Sequence, residues 1–137
     1  NYDLSLLMEH HKKSKSLVSM LVQKRNTSRY LLFKKDEEAA LGGWMNKKTG
    51  EKIPSDINID DFTSFAFNGI HIVNSSILNF FPLKDVFPLI PVYLELSKTN
   101  KISALEIKDS YWLDLGKPEA IKEAENTFIF ETSSDKK

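Results

Sequence analysis

The chain has 137 residues, enough for one domain with its own core and too few for two. Lys and Arg number 19, as do Asp and Glu, so no net field points to nucleic acid or an acidic membrane surface. There is no cysteine, which excludes disulfides and thiolate metal sites and suits a reducing cytoplasm; no apolar run approaches the ~18 residues of a membrane span.

In chain order, "YDLSLLMEHHKKSK" reads as a helix with Asp3 as its N-cap. Leu4, Leu7, Met8 and His11 fall on one face, and Tyr2 and Leu7 occupy the two positions of a hydrophobic staple. "SLVSMLVQKR" is a buried strand ending in charge. "RYLLFKKDEEAALGGWMNKKTGEK" predicts two strands, with a charged turn at Asp36 to Glu38 and a second turn at Lys48-Thr49-Gly50. "SDINIDDF" reads as a polar loop. "FTSFAFNGIHIVNSS" is the strongest strand, and Asn68-Gly69 marks a bulge or a close backbone approach within it. A helix is expected from about Asp85 to Ser97, with Pro88 and Pro91 fitting only near its first turn. "KISALEIKDSYWLDLG" predicts two short strands around Lys108 to Ser110. "KPEAIKEAENTF" predicts a helix with Pro118 at its first position and Ile121 and Ala124 turned inward. Residues 1–130 thus form one α/β unit and 131–137 a frayed tail.

The opening is unusual for such a unit. A helix that crosses between parallel strands needs a strand on both sides, and the chain starts on a helix at Asn1 rather than on Met. The expectation is a cut chain whose N-terminal part is missing. Apolar faces left without partners would then promote self-association.

Among candidate chemical groups, Asp114 stands out. Strand alternation in "YWLDLG" puts Trp112 and Asp114 on one side, before Gly116 and Pro118 turn the chain into a helix. A carboxylate at the carboxyl end of such a strand takes Mg²⁺, or it hydrogen-bonds the amides of its own turn, the more ordinary role on pattern alone. Asn68 beside Gly69 grips sugar hydroxyls or simply forms a bulge. Lys47 and Lys48 neutralise a phosphate or decorate a solvated hairpin tip. Arg29 is a surface residue or an anion contact. His10 and His11 are adjacent and form no i, i+4 metal pair, and His71 reads as a hydrogen-bonded core histidine. Neither a nucleophile elbow nor a GxGxxG or Walker loop is present.

Taken in order, "DLSLLMEHHKKS…LVSMLV", "SRYLLF", "GWMNKKTGE", "FAFNGIHIVN" and "YWLDLGKPEAIKEAE" resemble the sugar-1-phosphate nucleotidyltransferases. The nearest likeness is to the N-acetylmuramate-1-phosphate uridylyltransferase and mannose-1-phosphate guanylyltransferase branch, over residues 2–128. The resemblance implies a Rossmann-like (GT-A-like) mixed sheet flanked by helices, catalysing NTP plus sugar-1-phosphate to NDP-sugar plus pyrophosphate with Mg²⁺. It implies that this chain is the sugar-phosphate-binding portion, lacking the family's Gly-rich nucleotide loop and first metal-binding aspartate, and inactive alone. Asp114 matches the family's second Mg²⁺-binding aspartate in "W-x-D-x-G-x-P-E", which also contains Trp112. Asn68-Gly69 matches the sugar-pocket segment. Asn46-Lys47 falls where relatives carry Glu-Lys-Pro, with Asn in place of Glu and Lys48 in place of Pro. Lys117 stands where relatives have a capping Thr. The alternative expectation is a non-catalytic sugar-phosphate-binding or regulatory module that kept the pocket. Its partners would be NTP and sugar-1-phosphate, without nucleic acid or membrane.

Overall fold

The computed structural model describes residues 2–36, 38–108, 110, 112–113, 115–116 and 118–134, with side chains described through residue 127. The elements run α1 (Leu4–Ser14), β1 (Val18–Gln23), β2 (Arg29–Lys34), β3 (Leu41–Asn46), β4 (Lys52–Ile53), β5 (Phe62–Val73), α2 (Leu89–Leu96), β6 (Ile102–Glu106) and α3 (Pro118–Ser134). The six strands form one mixed sheet in the order β4-β3-β2-β5-β1-β6. Among the described residues only β1 and β6 pair in parallel; the other neighbours are antiparallel, with short hairpin links joining β2 to β3 and β3 to β4. The fold is therefore α/β, with helices against a mixed sheet.

Alternation along the strands explains the two covered faces. Val18, Met20, Val22, Leu31, Phe33 and Phe65 point to one face, where Tyr93, Leu94 and Leu96 of α2 and Ile77 close the main core. Burying each such aliphatic or aromatic side chain contributes about 1.5–3 kcal/mol. On the other face, Leu21 and Ile107 pack against Leu7 of α1, while Tyr30, Leu32 and Met45 lie under Ile57. This double covering is why β1 is buried throughout its first five residues. The sheet curls far enough for Ala40, just before β3, to bridge to Ser103 of β6, and Lys101 reaches Glu38 at 3.3 Å beside it.

Asp3 caps α1 by accepting the Ser5 amide at 2.9 Å, and Tyr2 packs with Leu7 as the staple requires. The helix face differs from the expected one. Leu7 is buried but Leu4 and Met8 are exposed, because His10, His11 and Ser14 turn toward the sheet with Leu7. The turns at Asp36 and at Lys48-Thr49-Gly50 are present, held by Asp36 Oδ1 accepting the Glu38 and Ala39 amides and by Asn46 Oδ1 accepting those of Lys48 and Thr49. The polar loop contains a short 3-10 turn at Ile59–Asp61, capped by Asn58.

Three expectations are corrected. α2 begins at Leu89 rather than near Asp85, because Pro88 occupies the cap and Pro91 fits only within the first turn. The segment before it instead holds a 3-10 helix, Ser75–Phe80, capped by Asn74. Of the two strands expected around residues 108–110, one forms among the described residues. Trp112 and Leu113 belong to no strand, and Gln23 Nε2 donates to the Ser110 carbonyl at 2.7 Å, pinning this segment by a side chain. In α3, Ala124 is buried as expected but Ile121 is 47% exposed, and the helix continues through Ser134, into the expected tail.

Candidate functional site

Three features of the sequence converge at one end of the sheet. β1 ends at Gln23 and leads into Arg25; β2 starts at Arg29; and β5 breaks its pairing with β1 between Met20 and Val22. Met20 pairs with His71 and Val22 with Phe67, so three residues, Asn68 to Ile70, stand opposite Leu21 alone. Gly69 makes the bulge feasible with φ +80°, a backbone region that costs other residues strain. The bulge turns Asn68 inward, leaving it only 6% exposed.

Around it lies a cavity of about 500 Å³, within the range of small-molecule sites. Arg25, Arg29, Trp44, Asn68, Gly69 and Trp112 are among its walls. The Arg25 guanidinium stacks 3.7 Å from the Trp112 ring centroid and donates to the Phe67 carbonyl at 3.2 Å and to Asn68 Oδ1 at 3.5 Å. Trp112 Nε1 donates to the Asn68 carbonyl at 3.1 Å. These contacts fix the tryptophan without a strand. Asn68 Nδ2 is buried and has no hydrogen-bond partner among the described residues. An unpaired buried amide donor costs about 1–3 kcal/mol.

Phe67, also in the wall, has a rigid backing. His71 stacks on it with centroids 5.7 Å apart, and the Tyr93 hydroxyl lies 3.3 Å from His71 Nδ1. Burial pushes the His71 pKa down and that of Tyr93 up to about 12, so both are neutral near pH 7.

Of the residues expected from the sequence, Asn68, Gly69 and Trp112 meet at this cavity. Asn46 and Lys47 are not among its lining residues. Asn46 caps the hairpin turn, and Lys47 sits over the outer face of Tyr30, its Nζ 4.6 Å from the ring centroid. Asp114 and Lys117 lie outside the described residues. Arg29, left open between surface and anion contact, is at the cavity wall, and its side chain has no hydrogen-bond or ion-pair partner among the described residues.

Sequence reasoning missed Arg25 and Trp44. Arg25 looked like the charged end of a strand, and its one detectable signal was its place just past the strand's carboxyl end, where α/β sheets bind ligands. Nothing local distinguishes Trp44 from a core aromatic. The described walls carry cationic, amide and aromatic groups with no carboxylate, and no three His, Asp or Glu side chains gather among the described residues. They fit an anion and provide no ligand set for Mg²⁺. No family model matches this chain, and no curated protein matches it significantly.

Proposed function

We propose that the chain is the sugar-phosphate-binding part of a sugar-1-phosphate nucleotidyltransferase of Rossmann-like (GT-A-like) architecture. The observation that carries the reading is the meeting of Arg25, Arg29, Asn68 and Trp112 at one cavity, beside a glycine bulge. Each suits a part of the substrate. Guanidinium groups neutralise a phosphate, an indole face packs against a sugar ring, and the Asn68 amide pairs with a hydroxyl.

In the reaction, a phosphate oxygen of the sugar-1-phosphate attacks the α-phosphorus of the NTP. The bond from that phosphorus to the β-phosphate oxygen breaks, and pyrophosphate leaves with the electron pair. The residues of this cavity hold the attacking phosphate in line and offset its charge, which is the principal demand of phosphoryl chemistry. Mg²⁺ at Asp114 belongs to this reading as Lewis-acid chemistry on the nucleotide phosphates, and no step above depends on it.

A second reading is a non-catalytic sugar-phosphate module, which the same cationic, amide and aromatic walls would serve. Titration of the chain with a panel of sugar-1-phosphates tests what the two share. At least one binds saturably, and Asn68→Ala weakens it by about tenfold, the loss of one buried hydrogen bond. Absence of saturable binding across the panel overturns both readings. Pyrophosphate release from an NTP, followed with and without Asp114→Ala in a protein carrying the nucleotide loop, separates them. Release lost on substitution favours the transferase, and no release favours the module.

A further inference from the structure

The cavity does not stop at its charged mouth. A second hollow of about 360 Å³ shares Arg29, Trp44, Phe67 and Ile90 with it. Its remaining walls among the described residues are Ile53, Pro88, Leu89, Pro91 and Leu94, so beyond Arg29 their side chains are apolar. It runs under the first turns of α2, across the ends of β3 and β4. A third hollow of about 280 Å³ shares Ile53, Pro91 and Leu94 and ends among Glu95, Ser97 and Lys98. The cleft is therefore graded. An amide and arginine end gives way to a trench of aliphatic and indole surface, with Arg29 at the junction.

A bare hexose phosphate would fill the polar end and leave the trench wet. We propose that the ligand of this cleft is an amphipathic phosphate ester, a phosphorylated sugar bearing an acyl or alkyl substituent, whose apolar arm lies between Trp44 and α2. The inference rests on the proposed function and adds the substrate class. Charge complementarity identifies the occupant. The apolar trench shares Arg29, an exposed side chain that lacks a partner among the described residues, with the cavity walled by Asn68, whose amide is unpaired. A purely apolar partner would leave the Arg29 charge without a counterpart, whereas an ester of this kind satisfies the head and buries the arm together.

Isothermal titration of the chain with inorganic phosphate, glucose 1-phosphate, octyl phosphate and octanol tests this. Ile53 is 41% exposed and at the rim, so Ile53→Glu charges the trench while sparing the core. Octyl phosphate is expected to bind at least about tenfold more tightly than inorganic phosphate, a gain that two buried methylenes supply. Ile53→Glu removes that gain and leaves glucose 1-phosphate binding unchanged. Arg29→Ala weakens all three phosphates. Equal affinities for octyl and inorganic phosphate, with glucose 1-phosphate still bound, overturn the inference and leave the proposed function standing. Octanol binding as tightly as octyl phosphate also overturns it, because head and arm would then not share one ligand. Failure of every phosphate to bind overturns both.

Discussion

Glycine matters most at two positions, for different reasons. At Gly69, an added Cβ would meet nothing within 4 Å, so the cost of Gly69→Ala comes from the positive φ alone. The expected loss is about 1 kcal/mol by urea denaturation, together with weakened sugar-phosphate binding as the bulge relaxes. At Gly43, φ is ordinary but space is not. A Cβ would fall on the Ile57 side chain and 2.8 Å from the Ile53 carbonyl oxygen, a backbone atom that cannot swing aside. Gly43→Ala should therefore destabilise by about 1–3 kcal/mol, more than Gly69→Ala, in the same denaturation experiment. The reverse order would show that backbone conformation, not close packing, limits this sheet. The first glycine was legible in the sequence, because Asn-Gly inside a strong strand implies an irregularity. The second was not, because its constraint comes from Ile57, fourteen residues away and brought over by the fold.

Local signals carried the elements where chemistry is local. The Asp3 cap, the Asp36 and Asn46 turns, and Pro118 at the start of α3 all behave as their residue types dictate. The inward face of α1 was misjudged because its partners are polar. His10 Nε2 lies 3.0 Å from Ser103 Oγ and His11 Nδ1 2.8 Å from Ser19 Oγ, while Ser16 Oγ donates to Ser103 Oγ at 2.8 Å. A pattern search weighted toward apolar residues passes over a helix seated on hydroxyls. Burial lowers the pKa of both histidines, with His10 further depressed by His11 and Lys101. A folded pKa below the unfolded one means that the unfolded chain binds more protons, so stability rises with pH. The contribution is present above the unfolded histidine value of about 6.5 and is lost as pH falls toward the depressed folded values. Melting temperature should therefore drop between pH 7.5 and pH 5, and His10→Asn with His11→Asn should reduce that slope. Burial of His71 acts in the same direction, so some slope should persist. An unchanged profile in the double variant would mean that α1 is not anchored through its imidazoles.

At the scale of the whole molecule, the order of strands and helices correctly indicated an α/β fold. The cleft was legible only in part. Asn68, Gly69 and Trp112 carried sequence signals, but Arg25, Arg29 and Trp44 join them only through strand order, which no short-range pattern encodes. Much apolar surface also stays uncovered, with Leu78, Leu83 and Val86 widely exposed on and after the 3-10 helix that precedes α2. Such a patch favours association. Sedimentation is expected to show a concentration-dependent rise in mass, diminished by Leu83→Lys with Val86→Lys. Those changes should leave the melting temperature within about 2–4 °C, since neither side chain is packed. A monomer at all concentrations would assign that surface to solvent.

The parallel pairing of β1 with β6 has a consequence in time. Val18 lies beside Ile102 and Val22 beside Glu106, a separation of 84 residues along the chain, and β1, like β2, is buried on both faces. During synthesis, β1 emerges before its neighbours β5 and β6 and keeps an open edge until residue 106 has left the ribosome, several seconds later at ordinary elongation rates. The long loop that must close before those contacts form also slows the final step of folding relative to the hairpins of β2 to β4. Throughout that interval the strand most in need of partners is the one most able to pair with the wrong chain, so nascent-chain yield should depend on chaperones more than the native stability of the domain would imply.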